Sequence, residues 1–223
     1  MFFPTTWKAI VKQGAIILCG GRSSRMGLPK LALPFGPEVM LQRIVRLLAE
    51  VCTPIVVVAA PGQDLPELPA GVIVARDRRE GRGPLEGLSA GLRALPADVE
   101  AAFATSCDVP LLVPAFARRM FELLGDHAAA VPVSGGFQHP LAAVYRPTIL
   151  GLVDELLAAD RLRPAFLFDS VATRRVMEAE LRDVDPELNT LRNLNQPGDY
   201  LAALEQAGFT APPEIAAKLQ ERG

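Results

Sequence analysis

The chain has 223 residues, 50% of them hydrophobic and 22% charged, with a formal net charge of −2 at pH 7. This length suits one domain with a large core, and the charge balance argues against a general binder of nucleic acid or membrane surfaces. The three cysteines are far apart and form no C-x-x-C pair, which predicts reduced thiols. The sequence also shows no signal-peptide pattern and no run of about 20 apolar residues, so a cytoplasmic protein is predicted.

Predicted strands and helices alternate along the chain. An apolar run at 15–18 predicts the first strand, and apolar residues at helical spacing predict a helix that begins at Pro37 and stops before Pro54. Further strands are predicted at 55–60, 72–75, 101–106, 128–133, 138–145 and 174–177. Further helices are predicted at 84–95, 114–124, 147–159, 164–168 and 198–207.

This alternation predicts a three-layer α/β/α sandwich with a Rossmann-like, mostly parallel sheet. The pair Gly135-Gly136 predicts a turn into a late antiparallel strand. We place an N-terminal extension at 1–13, the main domain at 14–208 and a C-terminal tail at 209–223, whose residues 211–223 are expected to form a surface helix or a frayed end.

The segment from Leu18 to Lys30, LCGGRSSRMGLPK, combines glycines, hydroxyls and cations directly after the first predicted strand. Glycines let backbone N–H groups turn toward an anion, and arginine and lysine neutralise phosphate charge. The spacing excludes a P-loop, which needs G-x-x-x-x-G-K-[ST], and a G-x-G-x-x-G dinucleotide fingerprint. A phosphate-binding turn is therefore predicted, with an ordinary solvated connection as the alternative.

Two carboxylates also follow predicted strands. Asp77 comes after the strand at 72–75, and Asp108 comes after the strand at 101–106. Ligands of open α/β sheets bind outside the carboxyl ends of the strands, so both residues are expected to share a crevice with the basic loop. The alternatives are a solvated charge run for Asp77 and a helix N-cap for Asp108.

Asp108 is the predicted Mg²⁺ ligand, because Mg²⁺ needs only one or two protein carboxylates when substrate phosphates and water complete its shell. No residue set for covalent catalysis is evident in the sequence, and Cys107 is better explained by packing than as a nucleophile. These features favour nucleotidyl transfer. In that reaction a phosphate oxygen of the acceptor attacks the α-phosphorus of a nucleoside triphosphate, and pyrophosphate leaves.

Together these segments resemble the MobA-like nucleotidyltransferases. The segment from Leu18 to Lys30 is similar to the family signature L-x-G-G-x-S-x-R-M-G-x-x-K. Four further motifs follow in the family's order, namely Gly83-Pro-Leu-Glu-Gly87, Ser106-Cys-Asp-Val-Pro110, Gln138-His-Pro-Leu-Ala-Ala-Val-Tyr145 and Asn193-Leu-Asn-Gln-Pro-Gly-Asp199. The resemblance implies a nucleotide-diphospho-sugar transferase-like fold and a nucleotidyltransferase domain at 14–208.

The resemblance also implies an activity and its site residues. The implied reaction uses Mg²⁺ to join GMP from GTP to molybdopterin, giving the guanine dinucleotide cofactor and pyrophosphate. The implied catalytic residues are Lys30, Asp108 and Arg25, with Arg22 assisting at the triphosphate and Asp108 binding the metal. The implied nucleotide contacts are Leu18, Cys19, Gly20, Gly21, Lys30, Asp77 and Asp108, the first three through backbone groups. Asn193 and Asn195 are implied to lie near the pterin, with Asn195 also approaching the metal.

The sequence departs from the family pattern at two places. Cys19 stands where alanine is usual, and Ala59-Ala60 stands where the family often has an asparagine near the nucleotide, which leaves the base preference open. The alternatives are a cytidylyltransferase on the same pterin, a sugar-1-phosphate nucleotidyltransferase and a nucleotide-binding adaptor with a silent site. Molybdoenzymes or other cofactor-biosynthesis proteins are the expected protein partners, and binding to nucleic acid or a membrane is not expected.

Overall fold

The computed structural model describes residues 12–20 and 29–220. The strands in this part of the chain are β1 (Lys12–Leu18), β2 (Pro34–Phe35), β3 (Glu38–Val39), β4 (Ile55–Ala59), β5 (Ile73–Arg76), β6 (Val99–Ser106), β7 (Ala129–Ser134), β8 (Phe137–Gln138), β9 (Ala142–Tyr145) and β10 (Thr173–Met177). The α-helices are α1 (Met40–Ala49), α2 (Pro84–Ala94), α3 (Pro114–Leu124), α4 (Leu150–Ala158), α5 (Pro164–Ser170), α6 (Pro197–Gln206) and α7 (Pro213–Gln220). Short 3₁₀ helices cover Lys30–Ala32, Pro147–Ile149, Glu178–Glu180 and Asn189–Leu191.

The central sheet has the strand order β10-β7-β9-β6-β1-β4-β5, and β8 pairs with β7. β1 runs parallel to both β4 and β6, β4 runs parallel to β5, and β10 runs parallel to β7. β9 is antiparallel to β6 and to β7, between which it lies. The predicted mostly parallel sheet with a late antiparallel strand is confirmed.

Helices cover both faces of this sheet. Within β1, Ile17 packs into the core beneath α1 and α3, whereas Ile16 packs into the core beneath α2, α4 and α5. Successive strand residues point to opposite faces, so a strand covered on both sides needs apolar residues at every position. The unbroken apolar run at 15–18 follows from this, and the predicted three-layer arrangement is confirmed.

A third, smaller core joins the C-terminal helices to the segment that follows Lys30. It contains Phe35, Tyr200 and Leu219, and the hydroxyl of Tyr200 donates a hydrogen bond to the carbonyl of Pro34 at 2.5 Å. For residues 213–220 the structure shows a helix anchored by its buried Leu219. This core holds in place the segment that directly follows Lys30.

Two predicted elements differ from the structure. The helix predicted from Pro37 begins at Met40, because β2 and β3 form a hairpin around Gly36, whose φ of +68° suits a tight turn. The strand predicted at 138–145 is divided into β8 and β9. Pro140, which cannot donate a backbone hydrogen bond, lies in the break between them.

All three cysteines are buried and free. Within residues 12–20 and 29–220, no helix combines the length and the apolar character needed to cross a membrane.

The contact between α2 and β1 depends on Gly91. A Cβ atom at this position would lie 2.4 Å from Cγ2 of the buried Ile16. We expect Gly91→Ala to lower the free energy of unfolding by about 1–3 kcal/mol through overpacking, measured by urea denaturation. Gly151→Ala in α4 is the matched control, because a Cβ there meets nothing within 4 Å, and it should be neutral or stabilising. Equal losses at the two positions would contradict the packing argument.

Candidate functional site

The carboxyl ends of the parallel strands meet at one edge of the sheet. The N–H of Cys19, just after β1, donates to the carbonyl of Val58 at 2.7 Å, and the N–H of Asp77, just after β5, donates to the carbonyl of Ala59 at 3.0 Å. Asp108 follows β6, which pairs with the other side of β1. The expected common edge is therefore confirmed, and its order along the edge is Asp108, Cys19, Asp77.

Three side chains bond to the carboxylate of Asp108, and a fourth, Asn195, bonds to one of the three. Oδ2 of Asp108 accepts a hydrogen bond from Nζ of Lys30 at 2.9 Å, and its Oδ1 accepts bonds from Ser106 Oγ at 2.5 Å and Asn193 Nδ2 at 2.8 Å. Nζ of Lys30 also donates to Oδ1 of Asn195 at 3.1 Å. The Lys30 and Asp108 side chains are only 16% and 13% exposed, so their charges interact under weak solvent screening.

Local structure on three chain segments brings this cluster together. The backbone N–H of Leu194 donates to the carbonyl of Asp108 at 2.9 Å, which lays the 193–195 segment beside β6. The carboxylate of Asp199 accepts the N–H groups of Asn195 and Gln196, each at 2.9 Å, and so caps the start of α6. Asn193 and Asn195 are thus held on a short rigid segment between a strand edge and a helix.

The N-cap alternative for Asp108 is not observed. The residue at the N-cap of α3 is Val113, and no side-chain hydrogen bond caps that helix. Asp108 is engaged with the polar cluster instead.

The donor set suits a divalent cation that is bound jointly with a substrate. Within the described residues, no group of three or more histidine, cysteine or acidic side chains could enclose a metal by itself. Asp108 supplies a carboxylate and Asn195 supplies an amide oxygen at the open edge of the sheet. Hard oxygen donors, few in number, fit Mg²⁺ that takes the rest of its shell from phosphates and water.

A cavity of about 810 Å³ opens beside this cluster. Ser106, Gly20 and Asp77 line it along the carboxyl edge, and residues 80–84 also line it. Its lining residues include Leu18, Val58, Ala60, Gln63, Glu86, Gly87 and Leu141. The volume is in the range of small-molecule sites.

Asp77 is a half-buried carboxylate on the cavity wall and is not part of a solvated charge run. Its Oδ1 atom is buried and has no hydrogen-bond partner among residues 12–20 and 29–220. Burial, with a smaller contribution from the nearby charge of Glu86, raises the pKa of Asp77 to about 6. A buried acceptor without a partner is costly, and a ligand donor in the cavity would satisfy it.

The backbone after β1 passes close to Asp77. A Cβ atom at Gly20 would lie 3.0 Å from Oδ2 of Asp77, so a glycine lets the chain approach the carboxylate. Leu18 and Gly20, two of the residues predicted to contact the nucleotide, line the cavity. Gly21, Arg22 and Arg25 lie outside the described residues.

The side chains of Cys19 and Cys107 pack together beneath the edge. Both are buried, and a hydrogen bond with Cys107 together with burial raises the pKa of Cys19 well above its usual value. A thiol with a raised pKa is a poor nucleophile. The packing interpretation of Cys107 is consistent with this environment.

Sequence reasoning missed two polar residues of the cavity. Glu86 is 6% exposed, and its Oε1 accepts the backbone N–H groups of Arg78 and Arg79 at 3.1 and 3.2 Å. Gln63 bonds to the backbone of Cys19 and Ala60. Glu86 belongs to the family motif Gly83-Pro-Leu-Glu-Gly87, so the sequence offered a signal for it. No signal in the sequence distinguishes Gln63 from an ordinary loop residue.

The amino-acid sequence matches the profile of the MobA-like NTP transferase domain over residues 15–175. It is 37% identical over 201 residues to a curated protein of Mycobacterium avium (strain 104), named "Probable molybdenum cofactor guanylyltransferase". That match covers 88% of this chain and 97% of the relative.

Two solved structures show the same fold at low sequence identity. One is molybdopterin-guanine dinucleotide biosynthesis protein A from Archaeoglobus fulgidus, with a TM-score of 0.72, 18% identity, and coverage of 88% of this chain and 98% of that one. The other is 2-C-methyl-D-erythritol 4-phosphate cytidylyltransferase from Thermus thermophilus, with a TM-score of 0.65, 16% identity, and coverage of 88% and 99%. Proteins named for a guanine and for a cytidylyl product share this fold, so the fold does not select the base.

Proposed function

Because the chain belongs to the MobA-like NTP transferase family and is a nucleotidyltransferase, we propose that it transfers GMP from GTP to molybdopterin, forming the guanine dinucleotide cofactor and pyrophosphate. One observation carries the proposal: the Lys30–Asp108 pair is joined by the hydrogen bond between Asp108 and Ser106 to the wall of a cavity of about 810 Å³, which Ser106 lines. A cationic and an anionic group beside such a cavity suit a metal-bound triphosphate. We further propose residues 14–208 as the catalytic domain.

The proposed chemistry needs no covalent intermediate. A phosphate oxygen of the pterin attacks the α-phosphorus of GTP, the bond to the β-phosphate oxygen breaks, and pyrophosphate leaves. Lys30 neutralises charge that develops on the phosphates, and its position is fixed by Asp108 and Asn195. The residues of the cluster therefore act by alignment and by charge stabilisation, with Arg22 and Arg25 proposed to assist at the triphosphate.

Asp108, with Asn195 beside it, would hold Mg²⁺. When bound, Mg²⁺ would supply positive charge that stabilises the negative charge developing on the leaving pyrophosphate. The ammonium group of Lys30 is a positive partner of the Asp108 carboxylate at 2.9 Å. Asn193 orients the same carboxylate from the side on which we propose that the pterin phosphate enters.

Asp77 favours guanine as the base. The Watson–Crick edge of guanine carries two adjacent donors, N1–H and the 2-amino group, which a carboxylate can accept together. Cytosine presents one donor beside two acceptors and would leave the buried Oδ1 of Asp77 poorly satisfied. This argument supports GTP over CTP, and the cytidylyl reaction stays as the second candidate.

A product assay tests the proposal. The purified protein is incubated with molybdopterin, Mg²⁺ and each of the four common nucleoside triphosphates, and the products are identified by mass spectrometry. We expect a guanine dinucleotide and pyrophosphate. A cytosine dinucleotide would reverse the base assignment, and nucleotide binding without any product would support the adaptor alternative. Pull-down of molybdoenzymes would test the proposed delivery partners.

We expect the affinity for GTP to fall in acid because Asp77 loses its charge. With a pKa of about 6, the carboxylate accepts two donors at pH 7.5 but is largely protonated at pH 5.5. The KM for GTP should therefore rise as the pH falls between these values, and Asp77→Asn should raise it about tenfold at pH 7.5. Steady-state kinetics at several pH values measure both effects.

The Asp77→Asn variant also serves as the control for titration of GTP itself, which affects both proteins equally. Its KM should change little with pH beyond that shared effect, and an equally steep profile would contradict the assignment. Because the pKa of Asp77 is higher in the folded than in the unfolded protein, the contribution of this one residue to stability falls as the pH rises from about 3.8 to about 6. Above pH 6 the variant should consequently melt at a higher temperature than the wild type.

A further inference from the structure

Gln63 ties together the ends of two neighbouring strands. Its Oε1 accepts the backbone N–H of Ala60 at 2.9 Å, and its Nε2 donates to the carbonyl of Cys19 at 3.1 Å. Ala60 follows β4 and Cys19 follows β1, so one side-chain amide sets the spacing between the nucleotide loop and the adjacent strand end. Gln63 is half-buried and lies on the cavity wall.

Arg76 fixes the turn that carries Gln63. Its Nη1 donates to the carbonyl of Ala60 at 3.0 Å and to the carbonyl of Gln63 at 2.7 Å, and the N–H of Gln63 donates to the carbonyl of Ala60 at 3.1 Å. The turn is closed by its own backbone bond and held from β5 by a guanidinium. A side chain on such a turn is preorganised for its bonds.

The backbone groups of Cys19 are already engaged before a nucleotide binds. Its N–H is used by Val58, and its carbonyl accepts from Gln63. The implied backbone contact of the nucleotide with Cys19 therefore depends on the orientation that Gln63 gives to this peptide. Within the part of the chain that the structure describes, the Gln63 amide makes two side-chain hydrogen bonds, which leave one N–H and one oxygen lone pair for a ligand in the cavity.

Position along the sheet edge separates Gln63 from the reacting phosphates. In the order β6-β1-β4-β5, Asp108 follows β6 and Gln63 belongs to the turn after β4, on the other side of β1. Asp77, which we propose to read the base, lies next to that turn at the end of β5. Gln63 is thus on the nucleoside side of the cavity.

We infer that Gln63 is a positioning residue for the nucleoside half of the triphosphate, acting through the Cys19 peptide and the Ala60 turn. In this chain it provides a polar bridge at the strand end where Ala59 and Ala60 offer none from their side chains. The inference rests on the proposed nucleotidyl transfer, but it does not depend on which base is bound. Removal of the Gln63 amide should therefore lower the affinity for the nucleotide without lowering the rate of the chemical step.

The test compares Gln63→Ala and Gln63→Glu with a matched glutamine. Gln42 also accepts a backbone N–H, from Val39 at 3.1 Å, and donates to a backbone carbonyl, that of Glu67 at 2.9 Å. Gln42 is not among the residues that line the cavity. Gln42→Ala therefore removes the same kind of bridge away from the nucleotide.

Titration calorimetry with GTP and Mg²⁺, and steady-state kinetics, supply the readouts. We expect Gln63→Ala to raise the Kd and KM for GTP about tenfold and to leave kcat within about twofold, because a binding interaction common to ground and transition states is lost. Gln63→Glu keeps the acceptor for the Ala60 N–H, but it replaces the N–H donor to the Cys19 carbonyl with a carboxylate oxygen, which the carbonyl oxygen repels. This variant should therefore weaken GTP binding at least as much. Gln42→Ala should change neither constant.

The other outcomes are equally decisive. An unchanged Kd in both Gln63 variants, or an equal loss in Gln42→Ala, would overturn the positioning role. A fall in kcat at unchanged Kd would assign Gln63 to chemistry and also overturn it. If the wild type binds CTP in place of GTP, the base assignment fails while Gln63 is tested with CTP. If no nucleoside triphosphate binds, the proposed function itself fails, and this inference fails with it.

Discussion

Replacing Asp108 with alanine is expected to lower the rate of nucleotidyl transfer by about a thousandfold. The substitution removes the carboxylate proposed to hold Mg²⁺ and leaves Lys30, Ser106 and Asn193 without their common acceptor. Both effects act on the charge that the transition state develops, so the loss should appear in kcat more than in the KM for GTP. Pyrophosphate release at saturating GTP and Mg²⁺ measures it.

Asp98→Ala is the matched control for this prediction. Asp98 forms an ion pair with Lys12 at the same distance of 2.9 Å, but its side chain is 65% exposed, and it precedes β6 at the opposite edge of the sheet. This variant should retain full activity. Asp108→Asn keeps the shape of the side chain and so separates a loss of function from a loss of folding. This variant should lose most of the activity while melting near the wild-type temperature. A folded and fully active Asp108→Ala protein would contradict the metal assignment.

Lys30→Met is expected to lower kcat by about a hundredfold or more. Methionine preserves the apolar stem of lysine and removes only the ammonium group, which bridges Asp108 at 2.9 Å and Asn195 at 3.1 Å. Without that charge the triphosphate loses a neutralising partner, and the Asp108 carboxylate loses a positive neighbour. Single-turnover rates at saturating GTP separate this effect from weaker binding.

Lys12→Met provides the comparison for Lys30. Lys12 has a carboxylate partner at the same distance but lies at the start of β1, where its side chain is 39% exposed. Solvent screens such exposed pairs, which contribute little to stability, so neither the rate nor the melting temperature should change much. Lys30→Arg should recover only part of the activity, since a guanidinium retains the charge but not the compact geometry. A rate equal to that of the wild type in Lys30→Met would exclude the proposed role of the lysine at the phosphates.

Much of the fold could be predicted because its signals are local. Unbroken apolar runs such as 55–59 predict strands covered on both faces, and prolines at 84 and 114 mark the first turns of α2 and α3. The division of the predicted strand at 138–145 was missed because a local apolar pattern does not specify which neighbour each half pairs with. β8 pairs with β7, whereas β9 lies between β7 and β6.

The sequence also predicts the nature of the site, since a strand followed by glycines and cations is a local pattern typical of phosphate binding. The environment of Asp77 could not be predicted from a local pattern of this kind. Its neighbours, Arg76 and Arg78, predict a solvated charge run, yet the carboxylate is half-buried beside Glu86 with a raised pKa. Burial depends on what the sheet edge and α2 bring over the residue, and no window of sequence contains that information.

The sequence by itself determined the succession of strands and helices, and it predicts phosphate binding by the loop before Lys30 and metal binding by Asp108. Only the tertiary structure decided that Lys30 and Asn193 meet Asp108 across separations of 78 and 85 residues, and that Gln63 bridges the ends of β1 and β4. The physical reason is that apolar periodicity and turn chemistry act over a few residues. The contacts of a site are set by strand order and by the packing of distant segments, which those local signals leave undetermined.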